Sequence, residues 1–190
     1  MSNKIQKTNA ARLLDKMKIK YELVPYAFDP DDLAAEHVAE ELGEPIEQVF
    51  KTLVLRGDKT GLFVCVVGGN REVDLKLAAK ASGNKKAEML PLKELLPNTG
   101  YIRGGCTSIG MKKHYPTYFS EEMADFDVVY VSAGQRGLQL KLSPLDLAKA
   151  AQATFAKPPL FLSISREDTG YLMIVPNRAF VRFIPWESTR

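Results

Sequence analysis

Gln48-Val49-Phe50-Lys51-Thr52-Leu53-Val54-Leu55, then the loop Arg56-Gly57-Asp58-Lys59-Thr60-Gly61, then Leu62-Phe63-Val64-Cys65-Val66-Val67: this stretch decides the fold class. Residues 50–55 and 62–67 are dense in β-branched and aromatic side chains. A glycine-bearing loop of medium length separates them, so they read as a β-hairpin. Gly68-Gly69-Asn70 breaks the second strand. Outward from the hairpin the apolar period changes from two to nearly four. Upstream, Ala10, Leu13, Leu14 and Met17 form a helical stripe behind a cap at Thr8 or Asn9. Residues 21–25 are extended. Asp29-Pro30-Asp31-Asp32 then offers a turn and an N-cap for a helix carrying Leu33, Ala34, His37, Val38, Glu41 and Leu42, with Gly43 as its stop. Pro45 opens a short helix through Val49.

Downstream, Val73, Leu75, Leu77, Ala78 and Ala81 predict an amphipathic helix that ends near Gly83. A short helix is expected over 91–96, with a turn at Pro97-Asn98-Thr99-Gly100. Residues 116–120 are extended. Residues 128–132 and 138–142 read as two strands joined by the turn Ala133-Gly134-Gln135-Arg136-Gly137. Ser143-Pro144 opens a last helix carrying Leu145, Leu147, Ala148, Ala151 and Phe155. Hairpins outnumber βαβ units. The expected class is therefore α+β: a mixed, mostly antiparallel sheet or partly open barrel with surrounding helices. Pro158-Pro159 marks a linker, so the domains are expected at 1–156 and 157–190. Three strand-like runs in the second segment (161–165, 171–175, 179–184), with a turn at Pro176-Asn177-Arg178, suit strands that add to a sheet edge or cover one.

The chain has 190 residues, 45% hydrophobic and 26% charged, which is ordinary for a globular protein. No apolar run approaches the roughly 18 residues of a membrane span, and the N-terminus lacks a signal-peptide core, so a cytosolic protein is expected. The net charge of +3 permits a polyanionic partner without requiring one. Two cysteines, Cys65 and Cys106, and two histidines, His37 and His114, are not in metal-ligand spacing. No metal or cofactor is expected.

Lys51 shares a strand face with Leu53 and Leu55. Such a lysine either snorkels at a strand end or is held over a pocket for an anion. In Gly104-Gly105-Cys106-Thr107-Ser108-Ile109-Gly110 the glycines allow backbone N–H groups to approach a ligand, though a plain surface turn has the same composition. Cys106 has no histidine or acid nearby in sequence to activate it, which argues against a nucleophile. Ser132 and Gly134 belong either to a simple hairpin turn or to the mouth of a pocket, with Arg136 in reach of a phosphate. The residues offer no Ser-His-Asp set, carboxylate pair or phosphate loop. Any chemistry here must lean on positioned backbone and on the substrate itself.

Taken in order, Lys7-Thr8-Asn9-Ala10-Ala11-Arg12-Leu13-Leu14, Gln48-Val49-Phe50-Lys51-Thr52-Leu53, Asp74-Leu75-Lys76, Gly104-Gly105-Cys106, Gly110-Met111-Lys112-Lys113, Tyr130-Val131-Ser132 and Arg136-Gly137-Leu138 resemble the YbaK/EbsC family of the prolyl-tRNA synthetase editing-domain superfamily. The resemblance runs from about Lys7 to Phe155. It implies a trans-editing enzyme that hydrolyses the ester between a wrong amino acid and tRNA, foremost Cys-tRNA(Pro). The implied mechanism uses no enzyme nucleophile: the substrate thiol attacks its own ester and leaves a cyclic thiolactone, while other branches position a water. Proximity of reacting atoms can replace a general base.

By the same resemblance, Lys51 matches the pocket lysine that holds the terminal nucleotide or its phosphate, with Thr52 beside it. Tyr26 matches a pocket tyrosine, Ser132 and Gly134 match the small residues of the far wall, and Gly104 and Gly105 match the loop facing the ester. Implied partners are mischarged tRNA, above all tRNA(Pro), and prolyl-tRNA synthetase. Three features depart from the pattern. Thr107-Ser108 stand where the family has Ser-Pro, which is expected to relax the loop. Gln139 stands where an aspartate is frequent. The aromatic residue of the segment around 33–36 is missing. These departures motivate the alternative of a non-catalytic tRNA- or synthetase-binding module of the same fold.

Overall fold

The computed structural model describes residues 6–156, 160–161, 164–166, 171–174 and 184–185. The chain divides into two compact units, Met1–Leu160 and Phe161–Arg190.

In the first unit the elements run α1 (Asn9–Lys16), β1 (Glu22–Pro25), α2 (Ala35–Leu42), β2 (Phe50–Gly57), β3 (Gly61–Gly68), α3 (Leu75–Ala81), β4 (Ala87–Met89), α4 (Leu92–Thr99), β5 (Thr117–Phe119), β6 (Val129–Ser132), β7 (Leu138–Leu142), α5 (Pro144–Ala151) and β8 (Thr154–Phe155). One sheet has the order β4-β2-β3-β5-β8 and another the order β1-β7-β6. Pairings are antiparallel except β3 with β5 and β5 with β8. Among the described residues the two sheets meet at one parallel bridge, Val49 to Tyr130, and the barrel stays open. This is the mixed, mostly antiparallel α+β fold expected from the patterning.

The main core lies where the two sheets face each other. Phe50, Val54, Val64 and Phe119 come from the larger sheet, and Val131 and Leu140 from the smaller one. Leu14 of α1 and Leu147 of α5 cover its ends. Fully burying each such side chain contributes about 1.5–3 kcal/mol. The other face of the larger sheet, with Leu55, Phe63, Cys65 and Val67, packs on Ala78 of α3.

Local signals explain the element ends. Thr8 caps α1, its Oγ1 accepting from the Ala11 N–H at 3.2 Å. Asp74 caps α3 by accepting from the Lys76 and Leu77 amides. Helix α2 starts later than its stripe suggests. Asp29 and Asp32 accept from the Asp31 and Ala34 amides in local turns that hold residues 29–34 out of the helix. It ends at Gly43, in the left-handed region at φ 65°. After Pro45, residues Ile46–Gln48 form one 3₁₀ turn.

Three further expectations need correction. The hairpin loop is shorter than 56–61, because Gly57 pairs with Gly61 across only Asp58, Lys59 and Thr60. Arg56 and Gly57 stay in the strand because they also pair with β4, a strand too short to show in the sequence pattern. Helix α4 runs through Pro97 rather than stopping before it. Side chains bond the carbonyls around the proline: Asn98 donates to Glu94 O, Thr99 to Leu95 O, and Lys112 to Leu96 O and Pro97 O. Phe155 is not on the last helix, which closes at Gln152 in the left-handed region (φ 52°), leaving Phe155 to pair in β8 beside Phe119.

In the second unit β10 (Tyr171–Ile174) pairs antiparallel with both β9 (Ile164–Arg166) and β11 (Ile184–Pro185). The turn expected at 176–178 and most of the run 179–184 lie outside the described residues. Among the described residues no helix is long and apolar enough to cross a membrane, and no group of three or more His, Cys, Asp or Glu is placed to hold a metal ion.

Candidate active-site cleft

Strand β2 is paired with β3 along its whole length, but β4 covers its other edge only from Leu55 onward. Between that point and the bridge at Val49, no described strand covers this edge. A cleft of about 1000 Å³ opens there. Successive residues Lys51 and Thr52 both line it. Neighbouring side chains of a strand point to opposite faces, so the cleft wraps round the edge of β2.

The Lys51 ammonium donates to the Gly69 carbonyl at 3.0 Å. One bond leaves two of its donors for a ligand. Gly69 is itself anchored, its N–H donating to Val49 O at 2.7 Å. Behind it, burial raises the Glu122 carboxyl pKa above its ordinary value, while Arg71, Ser120 and the Gly68 N–H pull the other way.

Of the residues singled out from the sequence, Lys51, Thr52, Tyr26, Ser132 and Gly104 line this one cleft. Gly105 and Gly134 stand behind the wall. The Gly105 amide donates to Ile102 O at 3.0 Å, and a Cβ there would meet the Gln135 backbone at 3.2 Å. Gly134, at φ 96°, lets the turn pass over Tyr101, whose ring a Cβ would approach to 3.0 Å. Its N–H donates to Ser132 Oγ at 3.2 Å. Both glycines provide close packing. Among the described residues the amides of Gly104 and Cys106 carry no hydrogen bond, and both residues line the cleft.

The glycine loop is packed into the protein. Residues 105–109 are buried, the Tyr101 hydroxyl donates to Ile109 O at 2.7 Å, and Asn9 reaches Gly110 O. Cys106 points its chemistry nowhere: burial pushes its thiol up to about 12, so it stays protonated at neutral pH. Cys65 is shifted to about 12 in the same way. In the folded protein at mildly alkaline pH both thiols are expected to resist iodoacetamide and to react only after denaturation. Rapid labelling of Cys106 in the folded state would refute this assignment.

Gln139, which stands where the family pattern frequently has aspartate, lies on the apolar strand β7. It is 5% exposed, lines the cleft, and its Oε1 has no hydrogen-bond partner among the described residues. Thr52 Oγ1 is likewise buried and unpartnered. Unsatisfied buried polar atoms cost about 1–3 kcal/mol each, and at a cleft wall a ligand can supply the missing partner.

A sequence profile for the aminoacyl-tRNA editing domain matches residues 29–150. The chain is 51% identical over 152 residues to the Enterococcus faecalis protein named "Putative Cys-tRNA(Pro)/Cys-tRNA(Cys) deacylase EbsC", covering 80% of this chain and 93% of that one. It is 27% identical over 122 residues to YwhH of Bacillus subtilis, covering 64% of this chain and 77% of that one. The crystal structure of "a putative trans-editing enzyme for prolyl tRNA synthetase" shares the fold, with a TM-score of 0.66 at 21% identity over 80% of this chain and 99% of that chain.

Proposed function

The chain belongs to the aminoacyl-tRNA editing domain family, and on that footing we propose that it removes wrongly attached amino acids from tRNA in trans, foremost cysteine from tRNA(Pro). The observation that carries this reading is Lys51, a cation tied by a fixed carbonyl at the open edge of β2, in a cleft that also gathers Tyr26, Thr52, Ser132 and Gly104. We assign the editing domain to residues 1–156 and treat 157–190 as an extension.

In this reading the Lys51 ammonium receives the phosphate of the terminal nucleotide and sets the ester against the glycine loop. The unbonded amides of Gly104 and Cys106 face the ester carbonyl and stabilise charge developing on its oxygen. Gln139 Oε1 accepts from the substrate's α-ammonium, which satisfies the orphaned acceptor. No enzyme nucleophile takes part, consistent with the protonated Cys106 thiol. The substrate cysteine's sulfur attacks its own ester carbonyl. A C–S bond forms and the C–O bond to ribose breaks. The thiol proton passes to the departing ribose oxygen, leaving free tRNA and a cyclic thiolactone. Holding sulfur and carbonyl carbon in line supplies the acceleration a base would otherwise give.

A panel of mischarged tRNAs tests the proposal. Cys-tRNA(Pro) is expected to lose its amino acid fastest and Ala-tRNA(Pro) slowly. Blocking the substrate sulfur with a methyl group is expected to stop release, whereas undiminished release would mean that water is the nucleophile. Salt-sensitive binding of tRNA with no release from any member would establish a binding module instead. Adding prolyl-tRNA synthetase to the same assay shows whether it acts as a partner.

A further inference from the structure

The lip of the cleft carries a pairing that the ester chemistry does not use. Phe28 lines the mouth and is 37% exposed. The Arg136 guanidinium lies over its ring, 5.3 Å from the centroid. Arg136 Nε donates to Arg103 O at 2.9 Å, which fixes the plane of the guanidinium. Its two terminal amino groups make no hydrogen bond among the described residues. Arg103, exposed, lines the same mouth.

Three separate segments are brought together to build this lip, and glycines let them close. Gly104 is at φ 81°, and a Cβ there would come within 3.1 Å of Leu33 Cδ2 and 3.4 Å of Arg136 Nε. Gly137 is at φ 77°, and its Cβ would come within 3.5 Å of the Phe28 Cβ. The Tyr26 N–H donates to Gly137 O at 3.0 Å and holds the Phe28 segment against the turn. A flat aromatic ring with a planar cation fixed against it, and two guanidinium groups with open donors beside it, is the chemistry of a single-stranded nucleic-acid seat. Asp31 and Asp32 also line the cleft. Their charge repels phosphate and leaves the arginine side as the path for a polyanion.

We propose that Phe28 and Arg136 form a stacking seat for a nucleobase of the single-stranded 3′ end of tRNA, with Arg103 and the open end of Arg136 receiving the adjoining phosphodiester. The proposal rests on the deacylase reading for the identity of the RNA, and on the lip alone for its chemistry.

The test is equilibrium binding of a short, uncharged single-stranded RNA with the sequence of the tRNA acceptor end, to the full chain at low salt. A second RNA carries abasic ribose in place of the bases nearest the 3′ end. Phe28→Ala is expected to weaken binding of the intact RNA at least about fivefold, and Phe28→Trp to preserve it. Base removal is expected to weaken wild type by a similar factor and to leave Phe28→Ala unchanged. Arg136→Ala is expected to weaken binding and reduce its salt dependence. The proposal is overturned if base removal costs wild type and Phe28→Ala the same factor, or if wild type does not bind the RNA while it still deacylates mischarged tRNA. Coupling between Phe28 and the base in a protein that releases no amino acid would refute the deacylase reading alone.

Discussion

Lys51→Ala is expected to lower kcat/KM for release of the amino acid from mischarged tRNA by about a hundredfold or more, while the protein stays folded. The loss is large because this cation stands ready at the open edge of β2. Its ammonium is held 3.0 Å from Gly69 O, where an incoming phosphate can replace water without reorganising the protein. Its stability cost is small. Lys51 is only partly buried, and the one carbonyl it leaves behind belongs to a backbone also held by the Gly69 N–H to Val49 O bond. Losing one such hydrogen bond costs about 0.5–1.5 kcal/mol. Lys51→Arg is expected to rescue poorly, since a planar fork cannot satisfy the Gly69 carbonyl and a phosphate in the space of a compact ammonium. Amino-acid release measured beside thermal melts checks both statements. A well-folded Lys51→Ala protein with wild-type turnover would remove Lys51 from the site.

Gly69→Ala is expected to damage stability and activity together. A Cβ on Gly69 would sit 2.5 Å from the Ala35 Cβ and 3.0 Å from Val49 O. Neither neighbour is the far end of a flexible side chain, so the start of α2 or the end of β3 must move. Overpacking of this kind costs about 1–3 kcal/mol, a fall in Tm of roughly 3–10 °C for a unit of this size. The same movement displaces the carbonyl that positions the Lys51 ammonium. A shift of a fraction of an ångström in a positioning group is enough to reduce kcat. The expected signature is a lower Tm together with a lower kcat, in contrast to Lys51→Ala, where Tm holds. Unchanged melting and turnover in Gly69→Ala would show that α2 yields freely, and that the carbonyl is not a rigid anchor.

Several parts of this molecule were legible because their signals are local. The hairpin of β2 and β3 follows from consecutive β-formers and a glycine-bearing loop, and the Thr8 and Gly43 ends from a side-chain cap and one left-handed position. Lys51 stood out because a lysine beginning an apolar strand face is anomalous by itself. The family motifs then placed Tyr26, Thr52, Ser132 and Gly104 with it, and the cleft does gather them.

The remainder depends on groups far apart in sequence. Strands β4 and β8, with three and two residues, exist through pairing with β2 and β5 rather than through propensity. Pro97 is tolerated in α4 because, besides its neighbours Asn98 and Thr99, Lys112 bonds the carbonyls there. Gly105 and Gly134 look like ligand loops in sequence. Only the packing of Gln135 and Tyr101 against them shows that they make room instead of facing the cleft. Gln139 gains its meaning from an unpaired oxygen, which is a property of everything around it. The sequence by itself determined most of the strands and helices and singled out Lys51 as an anomaly, because periodicity, capping and turn chemistry act over a few residues. Tertiary structure alone decided which amides remain free, which polar atoms lack partners and which ring meets which cation, because these depend on segments that folding brings together.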